Sequence, residues 1–339
     1  MKILVTGAAG FICGYLIQEL LDSGHEVVGV DNFSKYGPVE KSYDRDSRYH
    51  FIQADCKDAA LLKDLLSDCG HFVAAAAMIG GISYFHEFAY DLLAENERIT
   101  AAAFDAAIHA HQHGRLQKIT VLSSSMVFEN TGEFPTPEGA QRRCPPPSST
   151  YGFQKLATEY FVQGAFEQYK LPYTIVRPFN CVGTGEKRAL RDRDILSGNV
   201  KLAMSHVVPD LVQKVVKGQD PLHILGAGQQ VRHYTYGGDL ARGIRICIEH
   251  PAALNQDFNL STPVRTTVLE LAELIWTKIN VGQPFRYVSD PPYPYDVQER
   301  SPDVSKAERL LGYRATTSLD EILDEVIPWI REQVLVGQI

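Results

Sequence analysis

The sequence predicts an α/β fold, a doubly wound parallel sheet with a smaller C-terminal lobe. Three observations predict it. Short apolar segments alternate with helix-length stretches as far as about residue 180. A glycine-rich turn follows the first apolar segment directly and opens a helix. Beyond residue 180 the rhythm changes to shorter elements, interrupted by the polar, arginine-containing stretch 185–199 and the proline-rich stretch 290–294.

Strands are expected at 2–6, 26–31, 49–53, 71–76, 118–123 and 173–177, and helices at 11–23, 58–68, 88–113 and 151–170. In the last helix Leu156, Tyr160, Phe161, Ala165 and Phe166 recur at helical spacing. Residues 144–150, Cys-Pro-Pro-Pro-Ser-Ser-Thr, read as a rigid loop that leads into it near Tyr151. The expected division is 1–180 for a nucleotide-binding domain and 181–339 mainly for the second lobe. Segments 222–225 and 257–260 are strand-like and can add to the main sheet, so the region from about 220 to 260 interleaves the two parts.

Composition narrows the function. The chain has 339 residues, 45% of them hydrophobic and 10% aromatic, enough for a full core. A net charge of -8 speaks against nucleic acid or an anionic membrane as partner, since both call for clustered Lys and Arg. No apolar run approaches the roughly 20 residues that span a bilayer, and Met1 leads straight into a strand, so neither a membrane span nor a signal peptide is expected. Six cysteines are scattered without a C-x-x-C pair, which suggests free thiols in a reducing, cytoplasmic setting and no metal site.

The turn Thr6-Gly7-Ala8-Ala9-Gly10-Phe11-Ile12 has the setting of a Rossmann dinucleotide site. Gly7 permits the tight turn. Gly10 lets the backbone approach a pyrophosphate at the helix N-terminus, where unpaired N–H groups favour negative charge. Asp31 ends the second strand, just before Asn32, where a carboxylate accepts hydrogen bonds from ribose hydroxyls and repels a 2′-phosphate. NAD is therefore expected over NADP.

Gly-x-x-Gly-Phe-Ile resembles the signature of extended short-chain dehydrogenases/reductases, the family of NDP-sugar epimerases and dehydratases. One departure is Cys13, where relatives usually have a third glycine. The resemblance implies that Asp55 and Cys56 sit at the adenine, that Ala76 and Ala77 line the cofactor, and that Asn96 and Pro178 lie near it.

The strongest constellation is Ser123-Ser124-Ser125-Met126-Val127-Phe128 at a strand end, followed by Tyr151-Gly152-Phe153-Gln154-Lys155 at a helix start. Four-residue spacing puts Tyr151 and Lys155 on one helix face, so the ammonium can lower the phenol pKa and help it act as base. The family register, counted back from Val127, makes Ser124 the catalytic serine, with Ser123 and Ser125 as alternatives. The same register bears on the reaction. Dehydratases of the family carry an acidic pair where Ser125 and Met126 stand, and 3,5-epimerases carry a cysteine in place of Met126. What remains needs only Tyr151, Ser124, Lys155 and NAD: oxidation at C4 of the sugar, reorientation of the ketone, and hydride return. Cys181 keeps a C3 or C5 epimerase open, and a 4-ketosugar reductase, a dehydratase and a non-catalytic nucleotide sensor are the further alternatives.

By the same resemblance the substrate is a nucleotide-diphosphate sugar. Asn180 and Arg232 match contacts to the diphosphate, His206 stands where relatives often have Asn, and Asp296 fits a ribose contact. Gly80 and Gly81 resemble a glycine pair that passes close to the sugar in GDP-mannose epimerases. The usual arginine three residues before Asp296 is Tyr293 here, which leaves the nucleotide open. A homodimer through the helices near 88–113 and 151–170 is what the resemblance implies for assembly.

Overall fold

The computed structural model describes residues 1–80, 87–187, 189–190, 195–202, 206–292 and 297–339. Strands β1 (Lys2–Thr6), β2 (Glu26–Asp31), β3 (Tyr49–Gln53), β4 (His71–Ala74), β5 (Lys118–Leu122) and β6 (Tyr173–Pro178) alternate with helices α1 (Phe11–Asp22), α2 (Ala59–Leu66), α3 (Ala89–His113) and α4 (Thr150–Tyr169). The second half adds β7 (Cys181–Val182), β8 (Ile195–Ser197), β9 (Val200–Leu202), α5 (Val207–Val216), β10 (Leu222–Leu225), β11 (Val231–Arg232) and β12 (Thr235–Tyr236). It continues with α6 (Gly237–Glu249), β13 (Gln256–Leu260), β14 (Thr266–Thr267), α7 (Val268–Ile279), β15 (Tyr287–Asp290), α8 (Ser305–Leu311) and α9 (Leu319–Leu335).

Seven strands form one parallel sheet in the order β13-β6-β5-β4-β1-β2-β3. The order reverses between β1 and β4, and the crevice outside the carboxyl ends of strands at such a reversal is where α/β sheets bind ligands. The strands are nearly continuous apolar runs because helices cover both faces. On one face α1 and α6 bury Leu16, Ile17, Leu20, Leu240 and Ile244. On the other, α3 presents a stripe of small residues, Ala103, Ala106, Ala107 and Ala110, together with Phe104 and with Val162 and Ala165 of α4. The lobe has its own core, in which Val208 and Leu211 of α5, Ile275 and Trp276 of α7, and Ile322 and Val326 of α9 meet. Capping boxes start α7 at Thr267 with Glu270 and α9 at Ser318 with Glu321.

Two expectations change. Strand-like 257–260 joins the main sheet as β13, but 222–225 does not: β10 pairs in parallel with β15, in register Leu222 to Tyr287, inside the lobe. Its buried Leu222 and Ile224 are held by the lobe core. The fourth strand ends at Ala74 rather than 76, because the Thr6 hydroxyl accepts the N–H groups of Ala75 and Ala76 at 3.2 and 3.3 Å and turns the chain off the ladder.

Candidate active site

A cavity of about 1090 Å³ opens at the reversal between β1 and β4, and runs from the turn after β1, across the ends of β5 and β6, to the first half of α5. Its volume lies at the upper end of the roughly 300 to 1,000 Å³ of single-ligand pockets.

One end is built by the glycine-rich turn. Gly7 has a φ of 76°, and a Cβ there would lie 2.9 Å from the Cα of Ala76. The N–H groups of Gly7 and Ala8 donate to the Val30 carbonyl at 2.8 and 3.2 Å, which ties the turn to β2. Gly10 caps α1 without a side-chain bond, so the first-turn N–H groups of Phe11 and Ile12, both on the cavity wall, stay available for an anion. Asp31 accepts from the Ala9 N–H at 3.1 Å and the Phe33 N–H at 2.7 Å. Burial pushes its carboxyl up, while these donors and Lys41 pull it back. Asn32, Asp55, Cys56, Ala76, Ala77 and Pro178 line the same wall. This set fits a dinucleotide: a cradle that a Cβ would fill, open N–H groups at a helix start, and a carboxylate at the end of β2.

Asn96 departs from expectation. It is buried behind the wall, and its amide accepts from the Met78 N–H at 2.6 Å and donates to the Met78 carbonyl at 2.9 Å. Its work is to pin the chain after β4, so that Met78 and Ile79 face the cavity.

At the centre, Ser124 starts a 3-10 turn over Ser125–Phe128 and accepts from the Met126 N–H at 3.2 Å. α4 begins at the Ser149 cap, whose hydroxyl accepts from the Gly152 N–H, and this brings the buried Tyr151 and Lys155 to the end of β5. Burial pushes the Tyr151 phenol up; a hydrogen bond with Ser124 and the charge of Arg300 pull it down. The three serines now separate. Ser123 turns away and donates to Glu159 at 2.6 Å, Ser124 engages Tyr151, and Ser125 is a buried residue of the wall. Lys155 donates to the Leu122 carbonyl at 2.9 Å, a group that β4 no longer reaches because it stops at Ala74. Burial lowers the Lys155 amine to about 8, with the Glu159 carboxylate opposing. Arg300 is a positive charge that acts on Tyr151 and that the Tyr-x-x-x-Lys spacing alone did not point to.

At the far end Asn180, His206 and Arg232 line the wall. Asn180 has a φ of 39°, and its buried Oδ1 has no hydrogen-bond partner among the described residues. His206 pairs through Nδ1 with the buried carboxylate of Glu186. Arg232 donates to the Val231 carbonyl at 2.9 Å. Gly80 is buried behind the wall, while Gly81 and Asp296 lie outside the described residues. Cys181 is on the wall, but burial and then the Glu186 carboxylate both push its thiol up, which works against a thiolate base. Sequence reasoning missed Arg300, Glu186, Asp210 and Lys214 of this wall; none belongs to a glycine-rich turn or a Tyr-x-x-x-Lys pair. No helix of the described residues is long and apolar enough to cross a membrane.

The family model described as NAD dependent epimerase/dehydratase family matches residues 3–261. An uncharacterized UDP-glucose epimerase of Bacillus subtilis is 28% identical over 341 residues, covering 97% of this chain and 98% of the relative. Among solved structures, the UDP-glucose 4-epimerase of Thermotoga maritima with UDP-glucose is 27% identical with a TM-score of 0.81, covering 98% of this chain and 100% of that one. The UDP-glucuronic acid 4-epimerase of Bacillus cereus, in complex with UDP-glucuronic acid and NAD, is 26% identical with a TM-score of 0.81, covering 98% and 99%.

Proposed function

The chain belongs to the NAD dependent epimerase/dehydratase family, and on that premise we propose that it is a nucleotide-sugar epimerase that inverts C4 through a transient 4-keto sugar. The observation that carries this reading is the Ser124–Tyr151 pair on the wall of the cavity that the glycine-rich turn also lines, with Ser125 and Met126 where dehydratases of the family carry acids. Glu129, the next carboxylate along, accepts from the N–H and hydroxyl of Ser149, at 3.0 and 2.8 Å.

Gly7, Gly10, Phe11 and Ile12 would hold the cofactor pyrophosphate, and Asp31 the adenosine ribose. When bound, NAD supplies acceptance and return of a hydride at the reacting carbon. Tyr151 takes the proton of the 4-hydroxyl as that carbon is oxidised and gives it back to the same oxygen on reduction, while the Ser124 hydroxyl orients that oxygen. Met78, Ile79 and Val297, packed round Leu92, Met126 and Tyr151, keep water from the base. Asn180 and Arg232 would hold the diphosphate and His206 would serve the nucleotide end, with Asp296 the candidate for the ribose and Gly80 and Gly81 the candidates for the sugar. Residues 1–180 are mainly the NAD-binding domain and 181–339 mainly the substrate lobe, a division supported by the separate lobe core.

A cytoplasmic setting is supported by the six free thiols. A homodimer through α3 and α4 is supported by exposed aromatics on those helices: Tyr90 at 77%, Tyr160 at 66% and Phe153 at 47%. Sedimentation at micromolar concentration checks it, and a monomer there disposes of it.

The test of function is incubation of the NAD-loaded protein with UDP-, GDP-, CDP-, ADP- and dTDP-sugars in deuterated water, with products followed by NMR and mass. A new C4 epimer without deuterium is expected. Deuterium at C3 or C5, or loss of water, would overturn the C4 reading in favour of enolisation.

A further inference from the structure

Opposite the glycine-rich turn the cavity wall is made by the first half of α5, by Ile224 and Leu225 of β10, and by Val268. Leu211, Ile224 and Val268 make this end apolar, yet it contains an ion pair. Lys214, with 1% of its side chain exposed, lies 3.0 Å through Nζ from Oδ2 of Asp210, four residues earlier on the same helix. Lys214 Nζ also donates to the His223 carbonyl at 2.9 Å. An ammonium has three donors, so these two partners leave one. Asp210 lines the cavity with 13% of its side chain exposed, and its buried Oδ1 has no hydrogen-bond partner among the described residues.

A buried ion pair in an apolar wall is a poor source of stability, since apolar residues of the same volume serve as well or better. A buried carboxylate oxygen without a donor costs on the order of 1–3 kcal/mol more. A native structure that keeps such a group calls for a reason, and a ligand that completes the bonds is one.

On the nucleotide-sugar reading, a sugar at Tyr151 and a diphosphate at Arg232 put the nucleoside in the same cavity that Asp210 and Lys214 line. We propose that Asp210 and Lys214 recognise the hydrogen-bonding edge of a guanine base, so that the substrate is a GDP-sugar; this rests on the nucleotide-sugar reading above. Guanine presents O6, N1–H and the exocyclic amine side by side. The carboxylate accepts from the two adjacent donors, with a turn about Cβ–Cγ bringing Oδ1 to the cavity, and the remaining Lys214 N–H donates to O6. Uracil and thymine offer a single N–H between two carbonyls, one of which would face a carboxylate oxygen. Adenine and cytosine set an amine beside a ring acceptor. Each leaves part of the Asp210–Lys214 pair unbonded or opposed.

The experiment is calorimetric titration of the NAD-loaded full chain with GDP, UDP, dTDP, CDP and ADP. GDP is expected to bind at least about tenfold more tightly than the other four. Asp210→Asn and Lys214→Met are expected to reduce that preference by about tenfold. The ratio of GDP to UDP affinity within one variant is read, so a general loss of folding does not mimic the effect. UDP or dTDP binding as tightly as GDP overturns the base assignment and leaves the nucleotide-sugar reading standing. Preference unchanged in both variants overturns the roles of Asp210 and Lys214. Binding of none of the five overturns the nucleotide-sugar reading itself.

Discussion

Arg177 holds Glu159 by two parallel hydrogen bonds, Nε to Oε1 at 2.7 Å and Nη2 to Oε2 at 2.8 Å, with both side chains buried. The same carboxylate accepts from Ser123 at 2.6 Å and from Gln141 at 3.1 Å, and Arg177 reaches on to Asp257 at 2.7 Å. This network lies directly behind the catalytic strand end and joins β5, α4, β6 and β13. Arg177→Met removes one partner and strands the buried Glu159 charge, which is expected to cost about 3–5 kcal/mol of stability. Urea unfolding measures it. Glu159→Gln combined with Arg177→Met should recover part of the loss, because residue 159 then no longer carries a buried charge.

Asp257 makes the same network sensitive to acid. Burial pushes its carboxyl up, but Arg177 and Lys306 outweigh burial and hold it at about 2. A folded pKa below the unfolded value of about 3.9 gives stability that is fully present above pH ~4 and is lost as pH falls toward 2. The contribution is about 2 kcal/mol. About half of this, roughly 1 kcal/mol, should already be lost between pH 5 and pH 3 in urea unfolding, and Lys306→Met, which removes a 2.8 Å bond to Asp257, should flatten the difference.

Tyr151→Phe removes the hydroxyl proposed to carry the proton, so turnover should fall by at least about 10²–10⁴-fold while NAD stays bound. Arg300→Gln is more discriminating. Removing a positive charge that pulls the buried phenol down must raise its pKa further, so the limb of kcat/KM that reports the ionised base should move to higher pH. Ser124→Ala should move it the same way. A pH profile unchanged in Arg300→Gln would return the electrostatic role to Lys155.

The parallel sheet and the cofactor turn were legible in the sequence because their signals are local. Gly7, Gly10 and Asp31 fall within two strands and one turn, and a Cβ at Gly7 meets Ala76 because the backbone passes there. Ser124 was legible through its register, and the structure adds why Ser123 is not equivalent: it is spent on Glu159. Other parts depend on tertiary placement. The 222–225 segment has the pattern of a strand, and no local feature says which sheet it joins. Arg300 acts on Tyr151 from a distant part of the chain, its N–H donating to the Val231 carbonyl at 3.3 Å across about 70 residues. Asn96 was read as a cofactor neighbour by position, whereas its amide holds the Met78 backbone.

The two parts of the molecule meet at Tyr15 on α1, whose hydroxyl accepts from the Thr184 N–H at 2.8 Å and donates to Glu325 of α9 at 3.0 Å. Glu325 in turn accepts from Tyr236 at 2.6 Å. A Cβ at Gly183 would collide with the Tyr15 hydroxyl, and one at Gly237 would lie 2.7 Å from the Tyr15 ring, so both glycines are shaped to it. The latch links the helix whose N-terminus serves the cofactor to Val182, on the cavity wall just before Thr184. Tyr15→Phe keeps the ring but leaves the Thr184 N–H short of a partner, at a cost of about 1–3 kcal/mol, while Glu325 keeps the hydroxyls of Thr184 and Tyr236. Since the loosened segment is on the substrate side, KM for the nucleotide sugar should rise several-fold with kcat less affected. Thermal denaturation and steady-state kinetics on the same preparation separate the two effects: a loss of stability with unchanged KM would make the latch purely structural, and a rise in KM would show that it positions the substrate lobe.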